Sequence, residues 1–79
     1  MKTLKQVLSE VLGIEENSIT DQLMPKDVDT WDSMNGLILV AALESNFKIR
    51  FTTAEVVGVK CVADIKAVLR SKGVGVENL

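Results

Sequence analysis

Histidine and tyrosine are absent from this 79-residue chain, and cysteine and proline occur once each, at Cys61 and Pro25. Without histidine there is no Ser-His-Asp triad, no Cys-His pair and no Cys/His zinc site. Most self-contained hydrolase chemistry is excluded by that inventory. A lone thiol cannot close an internal disulfide, which fits a reducing compartment and leaves the core to be held by packing. Aromatic residues are scarce as well, limited to Trp31, Phe47 and Phe51. The longest wholly apolar run, Leu37 to Leu43, falls far short of the ~20 residues that span a bilayer. The basic start, Met1-Lys2-Thr3-Leu4-Lys5-Gln6, is followed by spaced apolar positions, the pattern of neither a signal peptide nor a membrane anchor. No basic surplus is present either: the net charge is −2, whereas a nucleic-acid binder is expected to be basic. Seventy-nine residues have room for one core. The expectation is one small, soluble, monomeric domain in the cytoplasm.

What charge there is falls unevenly. Residues 1–47 hold eight acids and three lysines, and residues 48–79 hold six basic residues and three acids. A basic partner is therefore expected on the first half. Thr3 and Gln6 have the form of a capping box, and Leu4, Val7, Leu8, Val11 and Leu12 follow at helical spacing. Gly13 supplies a stop, so a first helix is expected over 3–12.

From Ile14 to Thr30 the periodicity lapses amid Asn17, Ser18, Pro25 and five acids. So long a loop in so small a domain is uncommon unless it is functional or pinned. Ile19, Leu23 and Val28 are the expected pins. Helical pattern resumes at Trp31-Asp32-Ser33 and runs to about Asn46, apolar on nearly every face. Such a helix is either central to a bundle or partly a partner-binding surface. Phe47, Ile49 and Phe51 alternate with Lys48 and Arg50. With no second strand to pair with, they are expected in an extended connection that drops three side chains into the core.

Thr52 and Glu55 make another capping box, opening a short helix that Gly58 is expected to close. A last helix over 62–72 presents Val62, Ile65, Val68 and Leu69 on one face and stops at Gly73. The expected fold is all-α: a bundle of three longer helices and one short one, with a long loop between the first two. The domain is expected over residues 1–73, with 74–79 a frayed tail.

The chemistry centres on Asp32-Ser33-Met34, at the mouth of the second helix. A serine there is most often a cap, its oxygen satisfying a backbone N–H for ~1 kcal/mol. The same place also suits a phosphate ester, which would sit at the positive end of the helix dipole. Asp32 has two readings of its own, a capping acid or a group turned toward a partner. Asp27, Asp29 and Asn35 hint at a calcium loop, but in that alignment Trp31, Asp32 and Ile38 occupy the positions that need an oxygen ligand, a glycine and a bidentate glutamate. No metal site is expected. Gly36 is either a tolerated glycine or a place of close approach; Cys61 reads as a small capping or buried residue, and Trp31 as a packing anchor for the loop.

Taken together, the first helical stripe, the long loop, Asp32-Ser33-Met34, Ala42-Leu43-Glu44 with Phe47, Ile49 and Phe51 behind it, and the Val62, Ile65, Leu69 helix resemble the acyl carrier protein family. The resemblance covers residues 4 to 70 or so. It implies a non-catalytic carrier with 4′-phosphopantetheine, donated by coenzyme A, attached to Ser33 by a phosphopantetheinyl transferase. Its terminal thiol would hold cargo as a thioester for acyl-activating or acyl-transferring enzymes. Asp32 matches the family aspartate that helps hold the divalent metal in the transferase complex.

One departure stands out. The better-known fatty-acid carriers present several carboxylates on the second helix, whereas this chain has no acid between Ser33 and Glu44. Partner recognition is therefore expected to rest on Asp32, Met34, Leu37 and Ile38, with acidic support from Asp21, Asp27 and Asp29 in the loop. The Trp31-Asp32-Ser33 wording resembles stand-alone carriers of polyketide, lipopeptide or surface-glycolipid assembly more than the housekeeping fatty-acid carrier. A peptidyl or aminoacyl carrier, and an unmodified helical interaction module with Ser33 as a plain cap, are the alternatives. For a carrier, the cargo is expected to fold back among Leu39, Val40, Leu43, Val56, Val57, Val62, Ile65 and Leu69, with the short third helix moving to admit it.

Overall fold

A computed structural model describes residues 2–79; Met1, the first residue of the expected domain, lies outside them. The chain is all-helical: α1 (Leu4–Leu12), α2 (Ser33–Phe47), α3 (Thr53–Gly58) and α4 (Val62–Ser71), with single 3-10 turns at Glu16–Ser18, Pro25–Asp27 and Val76–Asn78. Among the described residues there is no strand.

Local chemistry sets most boundaries. The Thr3 hydroxyl accepts from the Gln6 amide while the Gln6 side chain accepts from the Thr3 amide, the reciprocal pairing of a capping box. Gly13 ends α1 in the left-handed region at φ 67°, where glycine carries no Cβ penalty. The Thr52 and Glu55 pair opens α3 in the same way. Gly58, expected as a stop, is instead the last helical residue, and extended Val59 follows it. Phe47 also departs from expectation. It is the last residue of α2, because it continues the buried stripe Leu39, Leu43, Phe47 at four-residue spacing, and Lys48 then takes the left-handed position at φ 57°. Only Ile49 and Phe51 occupy the connection, both half-buried against the core.

The helices bury Leu4, Val7, Leu8 and Leu12 from α1, Leu39, Leu43 and Phe47 from α2, and Val62, Ile65 and Leu69 from α4. α3 contributes no fully buried residue. α1 and α2 run antiparallel: Asn46 exchanges two hydrogen bonds with the Lys2 backbone at one end, and the Thr30 hydroxyl donates to the Leu12 carbonyl at the other.

The long loop is pinned by Ile19, Val28 and Trp31, all buried, with Leu23 half-buried. It also does for α4 what Cys61 does not. Cys61 stands at the N-cap without a side-chain bond, and the loop carbonyls of Leu23 and Asp21 accept from the Val62 and Ala63 amides at 3.0 and 2.9 Å. These are two of the four donors that a helix start leaves unpaired. Asp21 further pairs with Lys66 of α4. Beyond α4, Val74 and Leu79 pack against the core.

Candidate functional site

The start of α2 is built around Asp32. Its carboxylate, one oxygen only, accepts from the Asn35 amide at 2.8 Å, while the Asn35 side chain donates to the Thr30 carbonyl at 2.7 Å and holds the loop against the helix. Asp32 is therefore the N-cap, and Ser33 is the first residue inside the helix. The capping role that sequence chemistry offers to Ser33 belongs to its neighbour. Ser33 is exposed, and among the described residues its hydroxyl enters no hydrogen bond.

Beneath Ser33 lies a cavity of about 160 Å3. Ser33, Gly36, Leu37, Val40 and Leu43 form its α2 wall, at a spacing that places them on one helix face. Trp31 closes one side, Phe51, Val56 and Val59 another, and Ile65 of α4 the floor. Ser33 is the one hydroxyl in the wall, and the Trp31 indole N–H is the other polar side-chain group there. Val57 does not share in it: expected inside, it is 70% exposed. A helix as short as α3 can present one stripe inward, and Val56 occupies it, leaving Val57 about 100° round the axis.

The expected recognition residues are brought together. Met34 is 72% exposed, Leu37 65% and Ile38 49%, on the α2 surface that begins at Asp32. Leu39, expected among the interior positions, is buried. The loop acids are less free than their sequence suggests. Asp27 accepts from the Met24 amide, Asp32 caps α2, and Asp21 is held by Lys66, whose hydrogen bond and charge lower the Asp21 pKa from its ordinary value.

Glu44 is the residue whose role sequence reasoning missed. Its carboxylate accepts from the Phe51 amide at 2.8 Å, tying the end of α2 to the connection that leads into α3. The signal was indirect: an acid inside an apolar helix, just ahead of a segment with no partner strand. Glu55 anchors the other end of the same region. It accepts from the Thr52 backbone and pairs with Lys72 beyond α4, and these bonds lower its pKa.

The phosphopantetheine attachment site family matches residues 2–69. The chain belongs to this family, that of the acyl carrier proteins. An acyl carrier protein from Thermotoga maritima is 29% identical over 69 residues, which span 87% of this chain and 85% of that protein. Carriers of this family hold a covalently attached 4′-phosphopantetheine and are served by partner enzymes, a phosphopantetheinyl transferase among them. The residues present fit such a group: an exposed hydroxyl at a helix start and, next to it, an apolar cavity open to a flexible arm. No described helix is long and apolar enough to cross a membrane.

Proposed function

We propose that this carrier holds acyl intermediates as thioesters on a 4′-phosphopantetheine arm attached to Ser33, in a fatty-acid, polyketide, lipopeptide or surface-glycolipid pathway of the cytoplasm. The observation that carries the reading is the pairing of a Ser33 hydroxyl relieved of capping with the apolar cavity beneath it. When bound, the arm supplies a terminal thiol. The chain's own residues do the rest. Asp32 fixes the helix start with one carboxylate oxygen and leaves the other toward solvent, available to the metal of a transferase complex. Leu39, Val40, Leu43, Val56 and Ile65 offer cargo an aliphatic lining.

The cavity also bears on the cargo. An engineered protein cavity of about 150 Å3 takes a six-carbon ring, so the space seen here suits an acyl chain of about six carbons before α3 must move. Burying each methylene returns ~0.8 kcal/mol. A lining with no charged side chain disfavours a charged aminoacyl group, which would be desolvated without an ionic partner. With no free base of the histidine kind, acyl transfer belongs to enzymes that dock on the carrier. The exposed Met34, Leu37 and Ile38, rimmed by Asp32, are the docking surface we assign to them.

Intact mass after incubation with coenzyme A and a broad-specificity phosphopantetheinyl transferase tests the reading. The wild-type chain gains one arm. Ser33→Ala gains none and keeps its stability within ~0.5 kcal/mol, because the cap is Asp32. An arm that still loads onto Ser33→Ala would overturn the assignment.

A further inference from the structure

Trp31 is an unusual member of the cavity wall. The side chain is 93% buried by its 7% exposure, and among the described residues its indole N–H has no hydrogen-bond acceptor. Buried indole donors usually find a partner, since an unmade hydrogen bond leaves the group desolvated for nothing. The N–H is not sealed in, because no fully buried side-chain nitrogen or oxygen is left without a partner.

The local geometry explains where it is aimed. With Asp32 as N-cap, Trp31 stands one residue before the cap and Gly36 is the fourth residue of α2, the two positions that close a hydrophobic staple. In that motif an apolar side chain at the fourth position covers its mate. Here the fourth position is glycine. A Cβ built on Gly36 would meet one neighbour, Trp31 Nε1, at 4.0 Å. The bare backbone of Gly36 thus leaves the N–H edge of the indole uncovered on the side where Ser33, Gly36 and Leu37 form the cavity rim. Glycine inside a helix loses about 1 kcal/mol relative to alanine, so opening this edge works against the local stability of α2.

We infer that the Trp31 indole N–H is the hydrogen-bond donor that positions the Ser33-linked arm at the cavity mouth, with Gly36 as the window through which an acceptor oxygen of the arm reaches it. The acceptor is a phosphate oxygen or an amide or thioester carbonyl, and both are stronger partners than the apolar wall around the indole. The role is one of positioning: Trp31 holds the arm so that an attached acyl chain enters between α2 and α3 rather than trailing in solvent. This rests on the attachment of the arm to Ser33.

Because Trp31 is the one tryptophan in the chain, its indole N–H gives a single, assignable signal. The test uses the full 15N-labelled chain in three forms, each checked by mass: unloaded, loaded with the bare arm, and loaded from hexanoyl-coenzyme A. The indole proton is expected to move downfield and to exchange with solvent several-fold more slowly in the loaded forms. A shift already present with the bare arm places the acceptor in the arm, and one that needs the hexanoyl group places it at the thioester carbonyl. A 31P resonance that moves in Trp31→Phe relative to wild type marks a phosphate oxygen. Gly36→Ala is expected to weaken the shift while raising helix stability, a combination that a purely structural tryptophan would not give. Hydroxylamine is expected to cleave the hexanoyl thioester several-fold faster in Trp31→Phe. An indole signal that stays at its unloaded position in chains whose mass shows full loading would overturn the inference while leaving the carrier reading intact. Failure to gain the arm at all would instead strike the carrier reading.

Discussion

The two sides of α2 are built to opposite rules. Toward α1 and α4 the helix packs leucine on leucine: Leu4, Leu8, Leu12, Leu43 and Leu69 are sealed from solvent, and the loop carbonyls of Asp21 and Leu23 bind the start of α4. Toward α3 it borders a cavity and carries Met34, Leu37 and Ile38 in the open, and α3 answers with the half-buried Val56 and the exposed Val57. One half of the domain is closed and supplies stability. The other half keeps apolar surface unspent, where a cargo or a docking enzyme can cover it.

Leu8 in the closed half and Leu37 in the open half behave as opposites. Leu8→Ala is expected to destabilise the fold by about 2–5 kcal/mol in urea unfolding, since the side chain is fully buried and its loss leaves a cavity in the core. Leu37→Glu is expected to stay within ~0.5 kcal/mol yet to slow acyl transfer by partner enzymes. Equal stability losses from the two would erase the distinction.

Glu44 probes what holds the open half. Replacing it with alanine strands the partly buried Phe51 amide, and the expected loss is about 1–3 kcal/mol. Hydrogen exchange should show the loosening in α3 before α1 or α4. Protection lost evenly over all four helices would mean that α3 is not a separate unit.

The smallest expected effect is on acid stability. Asp21 and Glu55 have folded-state pKa values below their ordinary 3.8 and 4.5. Each favours the folded state above its ordinary value, and that contribution is lost as the pH falls from there through the lowered value. Asp21 is exposed and Glu55 half-buried, and both remain in reach of solvent, so the loss is modest and shrinks with added salt. Between pH 5 and 8 no histidine titrates, and stability is expected to be nearly flat there. Asp21→Asn should flatten the acid limb for the closed half, and Glu55→Gln for the open one, in thermal melts across pH.

Much of the fold is legible in the sequence. The capping boxes at Thr3 and Thr52, the αL glycine at Gly13 and the stripe Leu4, Val7, Leu8, Leu12 are interactions within a few residues, so local chemistry alone determined them. The number and order of helices followed. Tertiary structure decided what depends on partners distant in the chain. Val57 and Val56 are identical in type, and only the orientation of α3 over the cavity separates them. Phe47 reads as part of an alternating segment until the floor formed by the other helices draws it into α2. Asp32 and Ser33 are both good caps, and the Asn35 side chain's bond to Thr30 accompanies the arrangement in which Asp32 takes the role. Trp31 over Gly36, Glu44 on Phe51 and the loop carbonyls on α4 belong to the same class. Each joins groups whose approach is set by how the helices pack, a long-range outcome that local propensity does not encode.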